Sequence, residues 1–153
     1  MATLTRLEAP NSNISDLTGL DYATGLTHLD LGMERVDGRW VNSNEISDLS
    51  PLSGLTNLTG LSLHNNLISD VSALSGLNKL ELLYLYDNYI SDVSALSGLT
   101  KLTHLSLQNN LISDVSTLSG LNNLTVLGLN DNSISDVSAL SGLTKLTHLS
   151  LQN

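Results

Sequence analysis

Apolar positions along this chain change their spacing in a fixed cycle. From Ile90 they recur every third residue, at Val93, Leu96, Leu99, Leu102 and Leu105, and then after two residues at Leu107. A step of three suits tight turns of 3₁₀ type, whose side chains eclipse at every third position. A Leu-x-Leu step suits a short strand with both leucines on the same face. Each cycle therefore predicts one strand and one run of turns around a shared aliphatic interior. Between the apolar positions the chain is polar, with Ser, Asp, Asn, Gly and Thr in repeating places.

The cycle has a period. The tripeptide Ile-Ser-Asp begins at Ile14, Ile46, Ile68, Ile90, Ile112 and Ile134, and the last five are 22 residues apart. The 20-residue segment 90–109 recurs letter for letter at 134–153. The first gap, of 32 residues, is one period with ten residues inserted. A single unit buries too little apolar surface to offset the entropy of ordering its backbone. Stacked units share their faces and pair their strands, which makes a solenoid with one parallel sheet. Near-identical units arise by repeat amplification or by consensus design. The irregular insertion and the varied first units favour a natural parent.

Residues 102–112, LTHLSLQNNLI, match the pattern L-x-x-L-x-L-x-x-N-x-L, and the chain here resembles a leucine-rich repeat protein. With its 22-residue unit and the segment ISDVSALSGL it is similar to the bacterial internalin type. The resemblance implies an α/β right-handed horseshoe, with a concave parallel sheet and short 3₁₀ or turn segments on the convex side. It also implies a non-enzymatic module that recognises a protein or peptide ligand on the concave sheet. The alternative class is a structural unit that associates with itself.

Three columns are fixed by the period. Asn44, Asn66, Asn88, Asn110 and Asn132 each precede an Ile anchor by two residues and form a candidate internal ladder, because an amide both donates and accepts. Asp16, Asp48, Asp70, Asp92, Asp114 and Asp136 are read as caps on the short turns, or alternatively as a calcium-binding stripe. Gly54, Gly76, Gly98, Gly120 and Gly142 are expected to be left-handed residues that end those turns. Asn13, Asn57 and Asn123 open N-x-[ST] sequences, which matter only in a glycosylating pathway.

Function is sought where the repeat diverges. In L-x-x-L-x-L-x-x the third, fifth, seventh and eighth positions face outward. The middle unit places Leu82, Tyr84 and Tyr86 there, with His64 and His104 on adjacent units. Tyrosines and an exposed leucine have the composition of a binding hot spot. The bland alternative is that tyrosine simply suits a strand. The insertion, residues 32–44, carries Asp37-Gly38, a two-residue hairpin signal. It predicts that Val36 faces Arg39, Arg35 faces Trp40 and Glu34 faces Val41. Trp40 and Arg39 join the binding candidates, although Trp40 folding back over the first leucines explains its presence equally well.

Net charge is −9 and there is no basic stripe, which disfavours nucleic acid and anionic membranes. No apolar run reaches the ~20 residues of a membrane span. The absence of cysteine removes disulfides and thiolate metal sites. The histidines are too dispersed to chelate one ion, and no nucleophile–base pair or phosphate loop stands out, so no cofactor, metal or catalytic residue is expected. The chain start has no signal-peptide core. Secretion or surface display by resemblance would then need a leader already removed, and otherwise the chain is cytoplasmic. Residues 1–13 read as a degenerate capping unit, with Pro10 blocking further strand pairing. No such cap is expected at the other end, where Leu140, Leu143, Leu146, Leu149 and Leu151 would face nothing. Dimerisation through Leu146, Leu149 and Leu151 is the corresponding expectation.

Overall fold

The computed structural model describes residues 1–32 and 44–152, together with the backbone strands at 35–36 and 39–40. Seven short strands form one open parallel sheet: β1 (Arg6–Glu8), β2 (His28–Asp30), β5 (Gly60–Ser62), β6 (Leu82–Tyr84), β7 (His104–Ser106), β8 (Val126–Gly128) and β9 (His148–Ser150). The register is in phase with the repeat. Leu7, Leu29, Leu61, Leu83, Leu105, Leu127 and Leu149 pair successively across it. Both leucines of each Leu-x-Leu step are buried in the middle coils, as at Leu83, Leu85, Leu105 and Leu107. The fold is a leucine-rich repeat solenoid.

The step of three has a direct structural counterpart. Leu74 N–H donates to Val71 C=O, Leu77 to Leu74, and Leu80 to Leu77, each at 3.0 Å. Consecutive i→i+3 bonds therefore join the apolar residues themselves and hold them in one stripe. The stripe packs against its copies to give a continuous aliphatic core.

The asparagine ladder satisfies the backbone where the chain leaves the sheet. Asn88 Oδ1 accepts from Ile68 N–H of the preceding coil, while Asn88 Nδ2 donates to Leu63, Leu85 and Tyr86 carbonyls. Asn66 and Asn110 repeat this pattern. Asn132 does so half-buried. Asn44 reaches into the first unit, accepting from Ser12 and Ile14 N–H.

Two local expectations need correction. Gly54, Gly76, Gly98, Gly120 and Gly142 are not left-handed; among the described residues the one positive-φ glycine is Gly19. Besides Asn11 and Asn13 in the first unit, the left-handed non-glycine residues described are Asn65, Asp87, Asn109 and Asp131, the last four with φ between 51° and 56°. Each of these four directly precedes a ladder asparagine, and Asn and Asp tolerate this conformation best among non-glycine residues. The aspartate column acts one position earlier than a cap. Asp70 Oδ1 accepts from Ser72 N–H at 2.8 Å, while Val71 occupies the cap position. This side-chain turn recurs at Asp16, Asp48, Asp92, Asp114 and Asp136.

Within the insertion, β3 (Arg35–Val36) pairs antiparallel with β4 (Arg39–Trp40), Arg35 opposite Trp40 and Val36 opposite Arg39. The Glu34–Val41 pair and the Asp37-Gly38 turn lie outside the described residues. Leu140 and Leu143, expected to be open, are buried against the preceding coil. Leu146 is partly buried, while Leu149 and Leu151 are exposed.

Candidate binding groove

Side-chain size along the outward columns decides the shape of the sheet surface. The fifth-position column runs Asp30, Ser62, Tyr84, Ser106, Gly128, so one tall ring stands between small neighbours. The seventh runs Gly32, His64, Tyr86, Gln108, Asn130. Beside Tyr84 and Tyr86 opens a groove of about 850 Å³, lined by Asp30, Ser62, His64, Tyr84, Tyr86, Asp87, Ser106, Gln108, Asn109, Asn130 and Asp131. A smaller depression of about 150 Å³ lies toward the first strands, lined by Arg6, Leu7, Glu8, His28, Leu29, Asp30, Gly60, Leu61, Ser62, Leu82 and Tyr84. Tyr84 is the wall that both share.

The seventh column is packed along the solenoid. The His64 and Tyr86 rings stack with centroids 4.3 Å apart and planes 15° from parallel. Gly32 makes room for that stack, since a Cβ there would fall 2.3 Å from the His64 ring. Gly128 does the same for Gln108, whose amide lies 2.0 Å from where a Cβ would be. His64 is thus buried, at 9 % exposure, rather than presented to solvent, and Ser62 Oγ lies 3.0 Å from its Nδ1. Its part is to back Tyr86.

The groove is acidic. Asp30, Asp87 and Asp131 line it, and no Lys or Arg among the described residues does. Asp87 and Asp131 sit at the left-handed positions, which fixes the direction in which their carboxylates leave the backbone. Asp87 Oδ1 accepts from Asn109 Nδ2, and Asp131 Oδ2 accepts from Asn130 Nδ2 at 2.7 Å. Burial raises the Tyr86 phenol above its usual pKa, and the carboxylates of Asp87 and Asp30 and the neighbouring Tyr84 add to the rise. Gln108 Oε1 is buried without a hydrogen-bond partner.

Sequence reasoning grouped Tyr84, Tyr86 and His64 correctly in space. Leu82 stands on the same strand as Tyr84 and pairs with His104 on the next strand, so these candidates adjoin the tyrosines. Leu82 belongs to the smaller depression, and His104, half-buried, lines neither and lies 3.0 Å from Thr103 Oγ1 through its Nδ1. The side chains of Trp40 and Arg39 lie outside the described residues. The eighth-position column, Asp87, Asn109 and Asp131, was missed. Its signal is an Asn or Asp immediately before each ladder asparagine. Also missed was an exposed apolar ridge one residue beyond the ladder, formed by Leu67, Tyr89 and Leu111 on successive coils. Among the described residues no cluster of three or more His, Cys, Asp or Glu could hold a metal ion. None of their helices is long and apolar enough to cross a membrane.

An open sheet with a side-chain-lined groove, backed by an aliphatic solenoid, defines a surface built for contact with another molecule. The family pattern described as Leucine Rich repeats (2 copies) matches residues 40–76 and 78–120, and the chain belongs to the leucine-rich repeat family, internalin-like in type. It is similar to an internalin (inlF) of Listeria monocytogenes, with 37 % identity and a TM-score of 0.81 over 92 % of this chain and 39 % of that one. It is also similar to internalin C2 (inlC2) of the same species, with 30 % identity and a TM-score of 0.71 over 98 % of this chain and 81 % of that one. The leucine-rich repeat ectodomain of an Arabidopsis thaliana membrane receptor kinase, solved in complex with Casparian strip integrity factor 2, shares the fold at 23 % identity and a TM-score of 0.77, over 97 % of this chain and 18 % of that one. The chain thus spans about two fifths of the first internalin's length. No curated protein matches it.

Proposed function

We propose that this chain is a non-enzymatic binding module that takes a protein or peptide ligand in the groove beside Tyr84 and Tyr86. The leucine-rich repeat fold is a general protein-interaction module, and the plant ectodomain described above was solved in complex with another factor. The observation that carries the reading is the groove itself. It is the one place on the sheet where tall aromatic side chains stand over small neighbours, giving partly apolar walls and polar tips. No residue set there resembles a catalytic centre: the hydroxyl nearest a base, Ser62 Oγ beside His64, sits in an open surface with a ring that is occupied in stacking.

Tyr84→Ala is the informative variant, because Tyr84 borders both depressions and stacks on no ring among the described residues. Tyr86→Ala also removes the support shared with His64 and so lowers stability together with binding. Peptides from a random 12-residue display library are selected on the wild-type chain and measured against Tyr84→Ala by calorimetry. Affinity falling about tenfold or more, with the melting temperature unchanged, is the expected result. Selected peptides that bind Tyr84→Ala as tightly as wild type would place recognition elsewhere.

A further inference from the structure

Building on that proposal, we infer that the groove selects an extended, basic ligand segment, whose Lys or Arg side chains reach the carboxylates of Asp87 and Asp131 while their alkyl stems lie against the tyrosines. Charge and shape converge. The described lining carries Asp30, Asp87 and Asp131 and no cation to balance them, on a chain whose net charge is −9. Carboxylates of one sign lining a concave surface focus the field on a cation more than the same groups on a flat one; Asp30 and Asp87 are half-buried there and Asp131 is exposed.

Geometry sets the spacing of the basic groups. Asp87 and Asp131 occupy the same position two coils apart. At a strand separation of ~4.8 Å that is about 10 Å along the sheet. A polyproline-type ligand advances ~3.1 Å per residue with three residues per turn, so basic side chains about three residues apart lie on one face and meet both carboxylates. Long aliphatic stems ending in a charge suit such a site, since the stem covers the aromatic edge while the head group stays at the carboxylate. An acidic or wholly apolar segment would leave the carboxylates facing a like charge or stripped of water, which disfavours it.

The test uses two designed peptides, Lys-Pro-Pro-Lys-Pro-Pro-Lys and its Glu counterpart, and the display-selected peptides above. They are titrated into wild-type chain and into an Asp87→Asn, Asp131→Asn double variant. Asparagine keeps the left-handed backbone comfortable at both positions, so the variant tests charge rather than folding. The inference expects the Lys peptide to bind, the Glu peptide not to, and the selected peptides to be enriched in Lys and Arg. It also expects affinity to fall about tenfold in the double variant and to weaken as salt rises. Selected peptides that need Tyr84 but carry no excess of basic residues, or that bind the double variant unchanged, overturn the charge selection and leave the binding module standing. Selected peptides indifferent to Tyr84 overturn both.

Discussion

Each ladder asparagine serves two coils at once, so its loss is felt on both sides. Asn88→Ala leaves Ile68 N–H without its partner inside the core, and leaves the carbonyls of Leu63 and Leu85 one donor each, from Asn66 and Asn110. A cost of about 1–3 kcal/mol is expected for such an unpaired buried group. Asn132→Ala should cost less, because that amide is only partly buried and water can replace it. Urea denaturation of the two variants measures the difference. The left-handed positions give a second contrast. Asn109→Val forces a β-branched residue to φ near 51° and is expected to cost about 1–3 kcal/mol. Gly120→Ala meets neither a positive φ nor any atom within 4 Å, so it should be neutral or stabilising, by up to about 1 kcal/mol. Thermal melts that rank these two in the opposite order would contradict the backbone assignment.

At the scale of the element, each 3₁₀ segment from Ser50 onward is held at its start by an aspartate side chain and followed by hydrogen bonds that join the leucines. Hydrogen bonds from the Thr18 side chain and backbone hold the Asp16 carboxyl below its ordinary value of 3.8. For Asp70, Asp114 and Asp136 the serine backbone N–H leads and the hydroxyl follows. A carboxylate whose pKa is depressed in the folded chain adds stability above its unfolded value and loses that contribution as pH falls through the folded one. Urea midpoints should therefore stay level between pH 7 and pH 5 with respect to these groups and fall below about pH 4. In the strands, position within the stack matters more than residue type. Leu105, fully buried, should cost about 2–5 kcal/mol when changed to alanine. Leu149, at 43 % exposure in the same register, should cost much less.

For the whole molecule the dominant facts are a one-dimensional stack and a net charge of −9. The aspartates that start the turns lie in file along one side and repel each other, so raising sodium chloride from low to moderate concentration should raise the melting temperature. The inferred basic ligand should respond in the opposite sense, binding less tightly over the same range. Opposite salt responses of stability and affinity, read in one titration series, separate the charge of the scaffold from the charge of the groove. Because each coil touches only its neighbours, stability is close to a sum over coils and interfaces. Substitutions two or more coils apart should therefore add.

The period, the strand in each unit, the ladder and the identity of the core were legible in the chain itself. A 22-residue repeat with a three-then-two apolar step has one economical way to hide its leucines, and Asn and Leu recur in every copy. The left-handed residues were misplaced to the glycines because the backbone angle depends on how the strand exits over the ladder asparagine, and no local spacing reports that. The burial of His64, the placing of Leu82 and Tyr86 in different depressions and the acid rim at Asp87 and Asp131 arise from neighbouring coils. They depend on which side chain of one unit leans on the gap left by a glycine or serine of the next. The sequence determined what lies inside each coil, because that is set by periodicity. Only the tertiary structure decided which outward residues share a groove, because that is set by contact between side chains of adjacent units, 22 residues apart in the chain.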